Sequence, residues 1–498
     1  MQYVLTTRQM READEYTIRT LGMPSLVLME RAGEALAAAA EKMCPKGDIV
    51  CVCGGGNNGG DGFVCARILA EKGRRVAAVC VADKFTPECR TNKEKFEKAG
   101  GEVFSVFPRR RFALAVDCLF GTGFRGEPEG KAGAAIDYIN SVAPQVLSAD
   151  IPSGVSGEGV AAKRAVRASE TLCIGEYKTG VFLGDGLDFA GKASRADIGI
   201  SLPEERAGYA FLTGREEVAS LLPPRRRNTH KGTYGRAAIA AGSEKYTGAA
   251  YLAAAAALRS GCGYTSLLLP ESILPHYLLK LPEVLISPLC EGGRVAFTEK
   301  NFQKLLPFDA VAFGMGSETS EDVFEGARYL LQTYTGRLIL DADALNSLAK
   351  YGRGRLKEIF RDKRCDVLLT PHAKEFARLC EAEEMSAAGG TEAPRALAER
   401  LGCTVLLKGA ATVISDGGKT TISVTGTPGQ AKGGSGDVLS GLIAGLCAQG
   451  LSAFDGGRAG AWLAGRAAEL AAEETEEYSL TASDEILYLS DAFLSLRG

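Results

Sequence analysis

The chain has 498 residues, which is longer than one ordinary hydrophobic core supports, so we expect two domains. Hydrophobic residues make up 46% and charged residues 24% of the chain, which is typical of globular proteins and unlike disordered ones. The formal net charge of −3 disfavours nucleic-acid binding, whose signature is a basic excess.

The cysteines, histidines and apolar runs narrow the class further. The 14 cysteines occur without a CxxC pair and there are three histidines, so a zinc site of ordinary spacing is not expected. The N-terminus lacks a cationic start followed by an apolar run, and no segment approaches the roughly 20 apolar residues of a membrane helix. We therefore expect a cytoplasmic protein with reduced thiols and no membrane partner.

The first half of the chain alternates apolar runs with amphipathic stretches. Two helices are predicted before the first strand, and Cys51 and Cys53 are expected on one face of that strand. An alternation of this kind indicates a parallel sheet covered by helices on both faces. The predicted helices are Thr7–Leu21, Pro24–Met43, Asp61–Lys72 and Glu88–Ala99, and the predicted strands are Asp48–Cys53, Arg75–Val81, Ala113–Cys118 and Val146–Ala149.

The pattern breaks around Leu212–Thr233, where prolines and arginines occur without periodicity, and we interpret this segment as a connector. The alternation then restarts with a helix predicted at Thr247–Ser260. The two halves do not align as repeats, so the chain is predicted to join two different α/β domains. Strands are predicted at Arg236–Ala241, Tyr264–Leu269, Ala310–Phe313, Arg337–Leu340, Val367–Leu369 and Thr404–Leu407.

The strongest motif of the first half is Gly54–Gly62, GGGNNGGDG, between a predicted strand and a helix. Glycines let a backbone approach a ligand closely, and a helix start offers free N–H groups to phosphate. A tight turn capped by Asp61 would explain one or two of these residues but not the whole set. The motif is not the dinucleotide fingerprint GxGxxG, because its spacing differs and no acid follows at the ribose-binding distance, so a dehydrogenase is disfavoured.

Two further loops follow predicted strands: Asp117–Gly126, DCLFGTGFRG, and Ala149–Gly154, ADIPSG. In a doubly wound sheet the carboxyl ends of the strands form one edge, where ligands bind. Asp117, Asp150 and Ser153 are therefore expected near the glycine loop. Such oxygen groups suit an alkali or hard cation, or acid–base work on a hydroxyl; each aspartate taken alone is equally well explained as a cap of its loop.

The decisive motif of the second half is Ala431–Gly441, AKGGSGDVLSG, at the start of an apolar helix. A glycine-rich turn there forms an anion hole from backbone N–H groups. Asp437 lies within the first turn, where it can take a proton from a hydroxyl beside a transferring phosphoryl group. As a simple helix cap it would be unremarkable. Supporting segments upstream are GMG at Gly314–Gly316, DADALN at Asp341–Asn346, TPHAKE at Thr370–Glu375 and KGAAT at Lys408–Thr412.

The motifs of the first half resemble those of the NAD(P)HX epimerase domain over about Met10–Thr213. The resemblance implies that Asp150 is the acid–base residue at the C6 hydroxyl of the hydrated nucleotide. It also implies potassium ligation by Asn58, Asp117 and Ser153. The implied substrate-binding residues are Asn57, Asn58, Gly59, Gly60, Asp61, Gly121, Thr122, Gly123, Phe124, Arg125, Gly126, Glu127 and Asp150.

The second half resembles the ribokinase-like superfamily, and within it the ADP/ATP-dependent NAD(P)HX dehydratases, from about Glu217 to the C-terminus. The family usually has GGTGD where this chain has Ser435, and both residue types carry a hydroxyl. Asp437 is the implied catalytic base. The implied substrate contacts are Ala249, Gly316, His372 and Asp437, and the implied nucleotide contacts are Lys408, Gly409, Ala410, Ala411, Thr412 and Gly436.

Together the resemblances imply two three-layer α/β/α domains with mainly parallel sheets, one Rossmann-like and one ribokinase-like. We predict an epimerase domain at residues 1–213, a linker at 214–233 and an ADP-dependent dehydratase at 234–498. The implied cofactors are K⁺ in the first domain and Mg²⁺ with ADP in the second, with Asp341 or Asp343 as candidate magnesium ligands. The expected partners are NADHX, NADPHX and ADP, and the chain is expected to form a homo-oligomer.

Two alternatives remain open from the residues. The GGSGD chemistry would also serve a small-molecule kinase of the vitamin-precursor type. The first domain could in that case be a non-catalytic binding or scaffold module, although its intact aspartates argue against this.

Overall fold

The computed structural model describes residues 2–203 and 208–497. The chain divides into two compact units, Met1–Tyr209 and Ala210–Gly498. Each unit has its own sheet and its own hydrophobic core. No helix in the described part of the chain is long and apolar enough to cross a membrane.

The elements of the first unit run from Tyr3 to Ala196. Its strands are β1 (Tyr3–Leu5), β2 (Ile49–Cys53), β3 (Val76–Cys80), β4 (Glu102–Phe104), β5 (Leu114–Cys118), β6 (Gln145–Ala149), β7 (Glu170–Ile174), β8 (Tyr177–Lys178) and β9 (Lys192–Ala196). Its helices are α1 (Thr7–Glu15), which continues as a π-helical turn at Tyr16–Thr20, α2 (Ser25–Met43), α3 (Asn57–Glu71), α4 (Pro87–Lys98), α5 (Gly130–Val142), α6 (Thr179–Phe182) and α7 (Gly186–Ala190).

The main sheet of the first unit is parallel throughout, in the order β4-β3-β2-β5-β6-β7-β9. The strand order reverses direction between β2 and β5, which makes the gap between their carboxyl ends the topological switch point where ligands bind. Strand β1 pairs separately with β8 in parallel register, with Val4 opposite Tyr177.

Residues along β2 alternate between two hydrophobic clusters. Ile49, Cys51 and Cys53 pack into the cluster that contains α2 and α3 residues, whereas Val50 and Val52 pack into the cluster on the α5 side. All five are fully buried, as a strand covered on both faces requires. The prediction that both cysteines share one face of a buried strand is confirmed.

Helix α3 begins at Asn57, four residues before the predicted start, so the expectation that Asp61 caps this helix is wrong. The residue before the helix is Gly56, and Asp61 lies one turn further in with only 8% of its surface exposed. The glycines of the first turn permit the early start because their missing side chains avoid close neighbours. A Cβ on Gly59 would fall 1.9 Å from the carbonyl oxygen of Gly54.

The elements of the second unit run from Ala210 to Ser495. Its strands are β10 (Ala210–Leu212), β11 (Arg236–Ala240), β12 (Tyr264–Pro270), β13 (Leu285–Cys290), β14 (Ala310–Phe313), β15 (Arg337–Leu340), β16 (Asp366–Leu369), β17 (Thr404–Leu407), β18 (Thr412–Ser415) and β19 (Thr420–Ser423). Its helices are α8 (Arg215–Leu221), α9 (Thr247–Arg259), α10 (Glu299–Gln303), α11 (Glu321–Thr333), α12 (Asp343–Tyr351), α13 (Leu356–Arg361), α14 (Ala373–Ala382), α15 (Glu392–Leu401), α16 (Ser435–Ala448), α17 (Ala453–Thr475) and α18 (Ala482–Ser495); short 3₁₀ turns lie at Lys231–Tyr234, Glu271–His276 and Pro428–Gln430.

The sheet of the second unit runs in the order β13-β12-β11-β14-β15-β16-β17-β18-β19-β10. The strands from β13 to β17 are parallel, β17-β18-β19 form an antiparallel meander, and β10 is parallel to β19. Strands and helices alternate, which confirms the α/β class of both halves.

The segment predicted as a connector holds ordered structure in this unit. Helix α8 lies wholly within it and buries Val218 completely, and the segment begins at the last residue of β10, which pairs with β19. The sequence pattern hid these elements because both are too short for a periodicity to emerge. The functional boundaries at residues 213 and 234 stay a prediction.

Candidate active sites

A cavity of about 860 Å³ lies at the switch point of the first unit. Its lining includes loop residues after β2, β5 and β6 and one face of α1. The volume is within the range of pockets that hold a nucleotide-sized ligand. Position and size together make this cavity the candidate site of the unit.

Backbone contacts bring the three loops together. The N–H of Gly54 donates to the carbonyl of Cys118 at 3.0 Å, which ties the end of β2 to the end of β5. A Cβ on Gly121 would fall 3.3 Å from Oδ2 of Asp150 and 3.7 Å from the Asn58 side chain. A side chain at position 121 would therefore fill the space beside Asp150.

Asp150 forms a buried ion pair with Lys178. Nζ of Lys178 lies 2.5 Å from Oδ1 of Asp150, and the two side chains are 2% and 15% exposed. Lys178 also donates to the carbonyl of Ile174, and the N–H of Ile174 lies 3.4 Å from Oδ1 of Asp150. A buried charge needs such partners, since removing one would leave the other uncompensated. Asp150 adopts a φ of +70°, a strained conformation for a residue with a Cβ.

Asp14 and Asp61 are the other aspartates that line the same cavity. Burial raises the pKa of Asp14 to about 6, with Lys178 lowering it and Asp150 raising it. Burial and then Asp150 raise the pKa of Asp61 well above its ordinary value, with Lys178 opposing the shift. Burial therefore favours the protonated form of Asp61, whereas Asp14 changes its charge close to neutrality.

Asp117 lies beneath the cavity floor with no exposed surface. It accepts hydrogen bonds from Ser153 Oγ at 2.6 Å, Ser153 N at 2.9 Å, Ser148 Oγ at 2.9 Å and Leu119 N at 3.2 Å. Burial raises the pKa of Asp117 and these hydrogen bonds act in the opposite direction. The bonds fix the carboxylate in place.

The peptide of Phe120 connects this network to Asn58. Asn58 Nδ2 donates to the Phe120 carbonyl at 2.7 Å, and Phe120 N donates to Ser153 Oγ at 2.8 Å. Asn58, Asp117 and Ser153 therefore contribute oxygen atoms around a single loop. Oxygen donors with a buried carboxylate fit a hard or alkali cation.

The candidate site of the second unit is built around the start of α16. Gly434 precedes the helix with a φ of +111°, and the first backbone bond of the turn is from Val438 N to the Gly434 carbonyl at 3.0 Å. The N–H groups at such a helix start have no partner within the helix, so they can bind an anion. Ser435 donates its hydroxyl to Glu485, which holds the turn in place.

Lys408 and Asp341 form an ion pair beside this turn. Nζ of Lys408 lies 2.8 Å from Oδ1 of Asp341, and Ser440 Oγ donates to Oδ2 of Asp341 at 2.7 Å. Burial alone would lower the pKa of Lys408, but Asp341 and Glu375 raise it above its usual value. A Cβ on Gly436 would fall 3.3 Å from Nζ of Lys408. The lysine therefore points at the anion-binding turn.

Asp437 lies in the first turn of α16. Burial raises its pKa to about 7, with Asp341 adding to the shift and Lys408 opposing it. His372 pairs with Lys408 in an isolated parallel bridge, which places it in the same neighbourhood. Burial and Lys408 lower the pKa of His372, so its imidazole is neutral at physiological pH. A base poised near neutrality stands beside an anion-binding turn and a lysine.

Gly316 and Ala249 lie together near the same edge of the sheet. Gly316 has a φ of +63°, and a Cβ there would fall 3.0 Å from the Ala249 Cβ. The loop of Gly316 is linked to the start of α12, since Asp343 N donates to the Gly314 carbonyl at 3.2 Å. In the described residues there is no group of three or more His, Cys, Asp or Glu side chains arranged to hold a metal.

Family comparisons cover both units. Residues 237–488 match the family described as NAD(P)H-hydrate dehydratase, and residues 25–180 match the YjeF-related protein N-terminus. The bifunctional NAD(P)H-hydrate repair enzyme Nnr of Thermofilum pendens is 35% identical over 99% of this chain and 97% of that protein. The chain belongs to the family of bifunctional NAD(P)H-hydrate repair enzymes.

Other members of the repair-enzyme family match at similar levels. The enzyme of Moorella thermoacetica is 32% identical over 98% of this chain and 96% of its own length, and that of Escherichia coli is 32% identical over 95% and 90%. A solved structure of the ADP/ATP-dependent NAD(P)H-hydrate dehydratase from Bacillus subtilis, co-crystallized with ATP/Mg²⁺, is 29% identical over 58% of this chain and 99% of that chain, with a TM-score of 0.49. The family predicted from the sequence motifs is confirmed.

The structure brings together most of the residues predicted for the repair-enzyme sites. In the first unit Asp150 lines the cavity, and so do Asn57, Asn58, Asp61, Gly121, Thr122, Gly123, Phe124, Arg125 and Glu127. Gly59, Gly60 and Gly126 are outside the lining, because the first two are buried in the turn of α3 against Gly54 and Met29. Asp117 and Ser153 lie below the cavity rather than in its wall.

In the second unit His372, Lys408, Gly436 and Asp437 lie together, with Ala249 and Gly316 forming a neighbouring pair. Gly409, Ala410 and Ala411 form the loop between β17 and β18, and Thr412 begins β18. Asp341 and Asp343, the candidate magnesium ligands, are engaged by protein groups: Asp343 accepts from Glu318 N at 2.9 Å and Thr319 Oγ1 at 2.9 Å.

Sequence reasoning missed Lys178 and Asp14, and it missed the role of Asp341 as the partner of Lys408. Lys178 belongs to no recognisable sequence motif, and the helix that contains Asp14 has the pattern of an ordinary amphipathic helix. The spacing of Met10, Asp14 and Ile18 was the available signal, since residues four apart share a helix face.

Proposed function

We propose that the chain repairs hydrated nicotinamide nucleotides. The first unit interconverts the R and S epimers of NADHX and NADPHX, and the second dehydrates the S epimer to NAD(P)H while ADP is converted to AMP and phosphate. The observation that carries the proposal is Asp437, a base with a pKa of about 7 set inside an anion-binding helix start beside Lys408. Membership of the bifunctional family supports it over both units.

In the second unit Asp437 accepts the proton of the C6 hydroxyl, whose oxygen attacks the terminal phosphorus of ADP. The bond from that phosphorus to the AMP oxygen breaks, and AMP leaves. The N–H groups at the start of α16 and the ammonium of Lys408 offset the negative charge that develops on the phosphoryl oxygens. The C6 phosphate then leaves with the C–O electron pair and C5 loses a proton, so the nicotinamide 5,6 double bond is restored.

In the first unit Asp150 exchanges a proton with the C6 oxygen. Lys178 holds the carboxylate in position, and the free N–H groups at the start of α3 face the cavity, where they can bind a phosphate of the dinucleotide. Asn58, Asp117 and Ser153 would hold K⁺, because they supply oxygen donors around one buried carboxylate. Such an ion supplies positive charge beside the substrate loop.

Magnesium in the second unit would arrive with the nucleotide. Asp341 and Asp343 are already bonded to Lys408, Ser440 and backbone or hydroxyl groups, so the phosphates would provide most of the ligands. Mg²⁺ supplies charge neutralisation on the phosphates when bound. ADP is the proposed donor, as the bacterial-type fusion of the two domains indicates.

The direct test is to incubate the purified chain with a mixed-epimer NADHX preparation, magnesium and either ADP or ATP. Complete conversion to NADH, followed by the near-ultraviolet absorbance of the reduced nicotinamide, is expected. A halt after the S epimer is consumed would contradict the epimerase assignment, provided that spontaneous epimerisation is slow. A stable phosphorylated product without NADH would instead establish a small-molecule kinase.

The cellular setting is part of the proposal. All 14 cysteines are free thiols, which suits a reducing compartment such as the cytoplasm. The second unit exposes Leu278, Leu279 and Leu487 by 53%, 96% and 57%, and such apolar surface favours a homo-oligomer. Light scattering after size-exclusion chromatography measures the oligomeric state.

A further inference from the structure

One wall of the first cavity is formed by a helix that the proposed mechanism has not used. Met10 and Asp14 lie four residues apart on α1, Ile18 follows in the π-helical turn, and all three line the cavity. Asp14 is thus an ionisable group on an otherwise apolar face. The loop that carries Asp150 contributes a different wall.

Helix α1 holds Asp14 in a fixed position. Thr6 and Gln9 form a capping box at the helix start, with bonds of 3.2 Å and 3.0 Å. At the other end Thr17 donates its hydroxyl to the Ala13 carbonyl at 2.8 Å and accepts from Ser201 N at 3.0 Å. A side chain on an anchored helix is positioned more accurately than one on a loop.

The Asp14 carboxylate differs from the other carboxylates of the site in its partners. Asp150 is bonded to Lys178, and Asp117 accepts four hydrogen bonds. Among residues 2–203 and 208–497, no group donates a hydrogen bond to the Asp14 side chain. Asp61 is 8% exposed, and burial and Asp150 raise its pKa well above the ordinary value. Of the glutamates in the lining, Glu88 accepts from Ser25 Oγ, Glu127 accepts from Lys163 N, and Glu129 is exposed. Asp14 is therefore a half-buried cavity carboxylate that remains available to a ligand and able to exchange a proton.

Epimerisation at C6 creates a need for a second group. The hydroxyl leaves one face of the ring and returns to the other, so one group must protonate the departing oxygen and another must deprotonate the entering one. We propose that Asp14 is the second acid–base residue of the first unit and exchanges a proton with the C6 oxygen from the α1 wall, while Asp150 does so from the sheet edge. This inference rests on the proposed epimerase function.

The step balances with water as the co-reactant. Asp14, as the acid, gives a proton to the C6 oxygen; the C–O bond breaks with its electron pair on oxygen, and water leaves. The ring nitrogen lone pair forms the C6–N1 double bond. Water then adds to C6 on the other face and loses a proton to the Asp150 carboxylate, and the N1 lone pair is restored. The reverse direction exchanges the two roles.

The charges around Asp14 set the pH dependence. Lys178 on β8 lowers the pKa of Asp14, and Asp150 after β6 raises it; Asp61 on α3 has its own pKa raised by burial. The remaining charged residues in the cavity lining are Glu88, Arg125, Glu127 and Glu129. The active form holds one proton between Asp14 and Asp150. Because Asp14 loses its proton as the pH rises through about 6, kcat/KM for epimerisation is expected to fall above that pH.

The test uses the full-length chain and Asp14→Asn. One purified epimer is incubated with the protein at pH values on both sides of about 6, the other epimer is followed chromatographically, and the uncatalysed rate is subtracted. We expect kcat to fall about 10²-fold with KM little changed, and the inflection near pH 6 to vanish. Glu12→Gln, an exposed charge loss on the same helix, is expected to behave as the wild type.

Two controls separate catalysis from folding. The melting temperature of Asp14→Asn should equal or exceed that of the wild type, because an ionisable group with a raised carboxyl pKa destabilises the folded state when charged. The dehydratase activity of the same chain should be unchanged. If Asp14→Asn fails to fold, Asp14→Glu is the second variant to measure. The inference requires that its epimerase kcat is lower and that its pH profile keeps the inflection of a carboxyl group. An unchanged kcat in Asp14→Glu would overturn the inference.

The outcomes distinguish the two levels of the proposal. A wild-type chain that does not interconvert the epimers overturns the epimerase function and this inference together. An active wild type with an unaffected rate and pH profile in Asp14→Asn overturns the inference alone. In ¹⁸O water the product epimer should carry the label at its C6 hydroxyl beyond the uncatalysed exchange, and unlabelled product would overturn the route through C–O cleavage.

Discussion

Both units set a lysine against an aspartate that follows a strand of a parallel sheet, but the lysine holds a different kind of aspartate in each. In the first unit Lys178 binds Asp150, the proposed acid–base residue, at 2.5 Å. In the second unit Lys408 binds Asp341 at 2.8 Å and leaves Asp437 with a pKa of about 7. The lysine therefore holds the proposed reacting group in one site, whereas in the other a supporting carboxylate holds it beside the glycine-rich turn of Gly436.

The difference matches the chemistry proposed for each unit. Phosphoryl transfer requires a cation near the phosphates and a separate base, so Lys408 and Asp437 divide the work. Epimerisation requires proton exchange at one oxygen, so the charges cluster around Asp150. Both sites also hold a residue with a Cβ at positive φ next to or at the ion pair, Asp150 at +70° and Ala342 at +49°. Such strain persists where surrounding contacts enforce a functional geometry.

The largest effect on activity is expected for the Asp437→Asn variant. Because the proposed base is lost while the anion-binding turn remains, dehydratase kcat is expected to fall about 10³- to 10⁴-fold. Epimerase activity of the same chain should be unchanged, and the exposed Asp491→Asn should affect neither. The measurement is NADH formation from the S epimer with ADP and magnesium. A loss below tenfold would contradict the role of Asp437.

Lys178→Met tests the first unit in the same way. Without Lys178 the buried Asp150 carboxylate loses its charged partner and its fixed position, so epimerase kcat is expected to fall about 10²-fold. The control is Lys192→Met, at an exposed position on β9. The measurement is the rate of epimer interconversion by the two variants. Equal rates would show that Lys178 has no role in the epimerase reaction.

Asp341→Asn sharpens the contrast between the two lysines. Lys408 would lose its charged partner and its orientation toward Gly436, so kcat/KM for ADP is expected to fall roughly 10- to 100-fold, the worth of a charge-assisted hydrogen bond. Ser440→Ala, which removes a neutral donor to the same carboxylate, should cost less. The measurement is kcat/KM for ADP, taken from initial rates over a range of ADP concentrations. An unchanged kcat/KM in Asp341→Asn would show that Lys408 needs no charged partner.

The smallest expected effect is in the pH profile of the dehydratase. Asp437 must be ionised to accept a proton, so the rate is lost as pH falls through about 7 and is constant above it. Below the inflection kcat/KM should drop tenfold per pH unit. This is opposite in sign to the profile proposed for the epimerase, where the proton on Asp14 is needed. If both activities of the chain changed with pH in the same direction, the proposed difference between the two sites would be wrong.

The sequence predicted the central strands well because buried parallel strands are continuous apolar runs. Strands β11, β14, β15 and β17 begin at the predicted residues. It predicted the edges less well: α8 lies in the segment expected to be a connector, β10 ends at its first residue, and the antiparallel β18 and β19 were not foreseen. Short edge elements are stabilised by pairing with distant strands, and no local pattern records that pairing.

The glycine loops and their aspartates could be identified from the chain alone, because a motif of close-approach glycines and an acid is a local property of consecutive residues. Which charges meet there was decided by the fold. Lys178 lies 28 positions after Asp150 and Lys408 lies 67 positions after Asp341, and each pair joins residues at the ends of different strands. The sequence by itself determined the family, the two α/β halves and the anion-binding turns. Only the tertiary structure decided which carboxylate is held by a lysine and which is left to titrate near neutrality, since burial and neighbouring charge are properties of packed elements rather than of a motif.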